Sequence, residues 1–237
     1  MSVRNRGKEV SDDRLFGDFK MQEKLRDAAK DMCYLLSRGF AEKSSLQLVG
    51  NRYRLNARQQ RALQGISASE QQIIVRAEKG LDPKDLKGKR IVIDGFNILI
   101  ILESVMSGAY VFKGLDGYYR DVSGVHGTYK RVQKTEEALL LIGNVLNELD
   151  VIAVDWYFDA PVSNSGRLKT MLRELAEQYQ FPWNIYLENN PDTVLADVKD
   201  IVVSSDAWVL DRALQNFNLG GHLIENYMSK AFVVNAR

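Results

Sequence analysis

Short apolar runs in the second half of the chain stop, one after another, at carboxylates. This repeated ending constrains the fold more than any other feature. Ile91-Val92-Ile93 runs into Asp94, and Trp156-Tyr157-Phe158 into Asp159. Ile185-Tyr186-Leu187 meets Glu188, with Asp192 four residues on, and Val202-Val203 leads through Ser204-Ser205 to Asp206. Between them lie stretches of helical spacing at about 97–106, 134–149, 165–179 and 207–216. Alternation of strand and helix predicts an α/β domain over 90–237 with a mostly parallel sheet. The carboxyl ends of such strands lie side by side, at the edge where open α/β sheets place ligands. Residues 223–224 and 231–234 are the expected closing strands. The glycine- and aromatic-rich stretch 109–129 reads as a hairpin or long flap.

The first third of the chain is built differently. Residues 1–19 are polar and expected to be flexible, and 20–80 carry helical periodicity with no strand candidate. Helices are expected at about 21–37, 42–49 with a stop at Gly50, from a cap at Asn56, and after Ser69. Residues 81–89, with Pro83 and Gly88, read as a linker. Charge divides the same way: 1–90 hold 20 Lys and Arg against 12 Asp and Glu, and the remainder 12 against 19. A basic unit before an acidic one suits a polyanion on the first and cations on the second, or else is a chance clustering of solvated charge.

Several carboxylates at one sheet edge repel each other unless a cation sits among them. An oxygen-only set, without His or Cys, suits a hard ion, Mg²⁺ or Mn²⁺. Such ions position a water and a phosphate for in-line displacement, so metal-assisted phosphodiester hydrolysis is the expected chemistry. Each acid also has a plainer reading: Asp206 and Asp192 as helix caps, Asp159 as a turn residue. Asp94 is harder to explain away, because Gly95 and Asn97 follow at once. The Asp-x-Asp pattern of a common phosphatase class is absent, since Gly95-Phe96 follows Asp94.

The segment IVIDGFNIL resembles the opening strand of PIN-like nucleases, especially the NYN branch, in which that strand typically ends Asp-Gly-x-Asn. WYFDAP, NNPDTVLADV and VVSSDAWVLDRA are similar, in order and spacing, to later acidic segments of that superfamily over about 90–235. The whole chain also resembles a prokaryotic family of unknown function that joins a helical N-terminal module to this half. The resemblance implies a three-layer α/β/α PIN-like domain and metal-dependent ribonuclease chemistry. By position, Asp94, Asp192 and Asp206 would bind Mg²⁺ or Mn²⁺, with Asp159 a further catalytic acid. Asn97, Ser205 and Asp211 would orient those acids or a phosphate, and Glu136 or Glu137 could add an acid from a helix. Pro191 before Asp192 departs from the usual small residue, and a non-cleaving RNA-binding adaptor stays open as the alternative.

Arg52, Arg54, Arg58 and Arg61 cluster around a helix–turn–helix-like arrangement in the basic unit. They could contact RNA phosphates, form a solvated face, or dock onto the acidic half. The flap interleaves Tyr110, Phe112, Tyr118 and Tyr119 with Lys130 and Arg131, as suits single-strand binding, hairpin packing or a homodimer contact. One cysteine excludes an internal disulfide, and no apolar run reaches the ~18–20 residues of a membrane span. A cytoplasmic protein with RNA as partner and no membrane is expected.

Overall fold

The computed structural model of the chain describes residues 8–122 and 134–237. Helices come first: α1 (Phe19–Ser37), α2 (Glu42–Arg52), α3 (Ala57–Ile66) and α4 (Glu70–Glu78). The expected caps form. Asn56 accepts from the Gln59 amide and Ser69 from the Gln72 amide, each closed by the reciprocal glutamine into a capping box. Gly50 does not stop α2, which runs two residues past it. A Cβ there would lie 2.8 Å from the Gln60 amide carbon, so the glycine serves the close approach of α3.

The second half alternates as its sequence implies. It runs β1 (Arg90–Asp94), α5 (Gly95–Met106), β2 (Tyr110–Lys113), β3 (Tyr119–Arg120), α6 (Thr135–Glu148), β4 (Ala153–Asp159) and α7 (Ser165–Tyr179). Then come β5 (Trp183–Glu188), α8 (Pro191–Asp197), β6 (Ile201–Val203), α9 (Ala207–Arg212), α10 (Leu219–Tyr227) and β7 (Phe232–Asn235). Among the described residues, β5-β4-β1-β6 form a parallel sheet in that order. Alternate residues of β1 face opposite layers. Ile91 and Ile93 pack with Leu99, Ile142, Leu172 and Leu223, whereas Val92 packs with Leu195 of α8 and Val209 of α9. The result is an α/β arrangement with helices on both faces of the sheet.

Three expectations change. Residues 223–224 lie in α10, because their apolar pair belongs to a helical face that covers the sheet rather than extending it. Strand β7 does not close the main sheet; it pairs parallel with β2, and β2 pairs antiparallel with β3, making a separate small sheet. The 81–89 stretch is not a loose linker. It makes a short helical turn, Pro83–Leu86, with Leu86 fully buried, and the Gly88 amide donates to the Asp150 carbonyl.

Nor does the helical region stand apart. Leu25, Met32, Leu63 and Ile66 share a core with Tyr110 and Phe112 of β2 and Val234 of β7. A small sheet cannot bury an apolar face by itself and needs a covering layer. Leu15 and Phe16, from a stretch expected to be flexible, join this core: Phe16 is buried edge-on to Phe112, and Asp12 nearby is buried on Arg58 of α3. Arg58 turns inward to Asp12 with two hydrogen bonds of 2.6 and 2.8 Å, both side chains buried.

Candidate active site

The chain runs from β1 outward to β4 and β5, then returns to the opposite side of β1 as β6. The strand order therefore reverses between β1 and β6, and open α/β sheets bind ligands at the carboxyl ends beside such a reversal. Register decides what stands there. Ile93 lies opposite Val203, so the next residues, Asp94 and Ser204, come side by side. Ser204 Oγ donates to Asp94 Oδ2 at 2.8 Å.

Asp94 is 7% exposed. It ends β1 and caps α5, its Oδ1 accepting from the Asn97 amide at 3.3 Å. A Cβ at Gly95 would lie 2.1 Å from the Phe158 ring, so no larger residue fits without displacing the core. Asn97, one turn into α5, faces the β6–α9 loop, and its Oδ1 accepts from both the Ser205 amide at 2.9 Å and Ser205 Oγ at 3.0 Å. Asp206 caps α9, its Oδ1 accepting from the Trp208 and Val209 amides at 2.8 and 3.1 Å. Asp192 lies in the first turn of α8, but the cap there is Asn190. Asp159 ends β4.

Electrostatics ties these acids together. Burial pushes the Asp94 carboxyl up to about 7 against the help of Ser204, and the charges of Asp192 and Asp206 push the same way. Asp192 is raised by burial and then by Asp206 and Asp159; Asp159 is raised by burial. Asp94 thus feels Asp192 and Asp206, and Asp192 feels Asp206 and Asp159, along one sheet edge. Among the described residues, however, no three Asp, Glu, His or Cys side chains are gathered tightly enough to hold an ion as they stand. The donor set, oxygen only and short of positive charge, fits a hard dication. Closing that set around one point would need the carboxylates to draw nearer than they stand.

A metal-free pH effect follows. The folded value near 7 lies above the unfolded value of about 3.9. Asp94 therefore contributes fully below about pH 4, and that contribution is lost as pH rises through 7. Linkage sets the ceiling at about 4 kcal/mol, from about three pH units at ~1.4 each, and relaxation of the site should leave about 2. In EDTA, Asp94→Asn should gain about 2 kcal/mol on wild type between pH 5 and pH 8, read by denaturant melts. Parallel pH profiles would show that Asp94 titrates normally.

The other candidates are placed as follows. Ser205 and Asn97 line a cavity of about 400 Å³ with Gln64, Gly65, Arg120, Asp206 and Trp208, between α3, the β2–β3 hairpin and α9. Asp211 is engaged elsewhere: its carboxylate takes Arg76 Nε at 2.7 Å and Gln72 Nε2 at 2.9 Å, joining α9 to α4. Glu137 pairs with Lys134 and borders a different cavity, with Met106, Tyr227 and Lys230; Glu136 lies beside it in the first turn of α6. Arg58, expected at phosphate, is buried on Asp12, and Arg52 pairs with Asp31 at 3.3 Å. Arg54 and Arg61 are exposed. Lys130, Arg131 and His126 lie outside the described residues. Sequence reasoning missed Ser204 as the partner of Asp94, and also Trp208. Only the β1–β6 register reveals Ser204.

Residues 83–222, more than half of the chain, match the family described as Domain of unknown function (DUF5616). The chain belongs to the DUF5616 family. In this member the matched stretch spans β1 to α10 and so contains every strand-end carboxylate of the site. Residues 24–79 match a second family, Protein of unknown function (DUF434), which takes in α2 to α4 and most of α1. Uncharacterized protein MJ0935 of Methanocaldococcus jannaschii is 32% identical over 186 residues, covering 78% of this chain and 88% of its own length. A match of that length must include part of both stretches. No solved structure matches the chain. Among the described residues no helix is long and apolar enough to cross a membrane.

Proposed function

We propose that this DUF5616 protein is a PIN-like, NYN-type ribonuclease that hydrolyses RNA phosphodiesters with Mg²⁺ or Mn²⁺. One observation carries the reading: a buried carboxylate, Asp94, stands at the strand-order reversal with its proton affinity raised, and Asp192 and Asp206 press on it. A structural helix cap gains nothing from being buried among other acids, whereas a cation site needs that excess of negative charge. Asp94, Asp192 and Asp206 would hold the ion, with Asp159 beside Asp192.

Bound there, a dication supplies an activated water and neutralises charge on the phosphate. The chain's own groups supply the geometry. Ser204 Oγ fixes one Asp94 oxygen. Asn97 has its carbonyl oxygen occupied by Ser205, so only its amide NH₂ can turn to a phosphate oxygen. RNA is the proposed substrate on the strength of the PIN-like resemblance and of the exposed Arg54 and Arg61 on the helical region.

A second reading, a non-catalytic RNA-binding adaptor, is favoured by one observation: Asp206 is engaged as a helix cap and the acids are not closed around a point. The two separate in one assay. Single-stranded RNA and a structured RNA such as tRNA are incubated with the protein and Mn²⁺, beside Asp94→Asn/Asp206→Asn. Cleavage lost with EDTA and with the variant supports the nuclease. Binding without cleavage in any divalent metal supports the adaptor.

A further inference from the structure

Trp208 takes no part in the proposed cleavage, yet it stands next to it. The chain has three tryptophans; Trp156 and Trp183 are buried, whereas Trp208 is 43% exposed. It lines the 400 Å³ cavity two residues from Asp206, with Asn97 and Ser205 on the same wall. An indole left in water beside a polar cavity gives up the apolar burial that large aromatics usually contribute to a fold.

The ring is held in place rather than covered. Arg212, one turn along α9, stacks its guanidinium 4.0 Å from the indole centroid and donates Nη1 to the Trp208 carbonyl at 3.1 Å. One face of the indole is thereby occupied and its orientation set, which lowers the entropy cost of a partner arriving on the rest.

We propose that Trp208 is a stacking platform for one unpaired nucleobase of the RNA, seated in this cavity beside the carboxylate cluster. The identity of the polymer rests on the ribonuclease reading. The cavity is of a size that suits a small ligand. Its carboxylates, Glu42, Asp121 and Asp206, repel phosphate, so the base enters and the backbone stays at the rim. At that rim Arg61 is exposed on α3, one turn from the cavity residues Gln64 and Gly65. Bases in a duplex are already stacked on each other, so this site selects single-stranded or looped-out nucleotides.

The full chain is titrated in EDTA, uncut, with a single-stranded oligoribonucleotide, the same strand made duplex, an abasic strand, and spermidine. Because the other two tryptophans are buried, ligand-dependent fluorescence reports Trp208. The single strand should quench it; duplex and abasic strand should not. Trp208→Ala should weaken single-strand binding roughly 10-fold or more. Trp208→Phe should keep affinity within a few-fold and lose the quenching. Equal affinity in Trp208→Ala, equal quenching by the abasic strand, or quenching by spermidine alone overturns the proposal. If RNA stacks on Trp208 but is never cut, the nuclease reading falls and the platform stands. If cleavage depends on Asp94 and is untouched in Trp208→Ala, the reverse holds.

Discussion

Asp94→Asn should reduce Mn²⁺-dependent RNA cleavage at least ~100-fold, and Asp94→Asn/Asp206→Asn should remove it. Asparagine is nearly the shape of aspartate and keeps one carbonyl oxygen, which can accept from either Ser204 Oγ or the Asn97 backbone amide, so the local fold should survive. What is lost is one full negative charge in a desolvated position. Losing a single preorganised charge-stabilising group typically costs 10²–10³ in turnover. RNA affinity in EDTA should hold or tighten slightly, since the substitution removes a repulsion on a polyanion. That split separates a site residue from a merely structural one: a structural defect would lower binding and cleavage together. Wild-type turnover in Asp94→Asn with intact metal dependence would sink the assignment. Loss of cleavage accompanied by a lowered melting temperature would point to misfolding instead, and the stability gain expected in EDTA at pH 8 makes that outcome easy to recognise.

The strand-end acids were legible because each depends on local pattern alone. A β-branched or aromatic run followed by Asp-Gly or Ser-Asp places its carboxylate within one residue or so, whatever the rest of the chain does. Parallel pairing then brings those ends together, since helical crossovers between consecutive strands leave few other topologies. Asp94, Asp159 and Asp206 therefore fall at the edge where the sequence puts them, and Asp192 a few residues beyond β5. Ser204 was not legible as a partner, because its bond to Asp94 depends on the β1–β6 register, set by contacts over a hundred residues apart.

The helical region shows the same divide. Its caps at Asn56 and Ser69 are local and were readable, whereas the destination of its arginines was not. Arg58 and Arg61 are three apart on α3, and sequence gives them equal standing. Only the path of residues 8–19 brings Asp12 under the first and leaves the second in water. Leu223–Ile224 failed for a related reason: two apolar residues carry no period, and a helix or a strand can bury them equally well. Asp211 is the clearest lesson about chemistry. It sits five residues past a true strand-end acid, and its partner on α4 decides that it holds the structure together instead.

That partner sets the second large effect. Arg76→Ala should cost about 3 kcal/mol of stability and lower the melting temperature by roughly 6–12 °C, taking ~2–4 °C per kcal/mol for a chain of this size. Arg76 is 1% exposed on α4 and reaches Asp116 of the β2–β3 hairpin at 2.6 Å and Asp211 of α9 at 2.7 Å. Arg120 grips Asp116 from the other side at 2.7 and 2.9 Å and donates its Nε to the Ser205 carbonyl at 2.9 Å. Burial would raise the Asp116 carboxyl, but the two guanidiniums overcome it and hold it below the usual range. Removing Arg76 leaves a buried carboxylate with half its charge compensation, and that, rather than any gain from the pair itself, is the source of the cost. Replacing Asp116 as well should not recover the loss, because Arg120 would then lose the carboxylate that it grips. The same chain of contacts runs from α4 through Arg120 to the loop carrying Ser205 and Asp206. Arg76→Ala should therefore also weaken cleavage below the melting temperature, by loosening the β6–α9 loop without touching a carboxylate of the site. A loss under 1 kcal/mol, with cleavage unchanged, would mean that the helical region and the sheet edge are joined only by their shared apolar core.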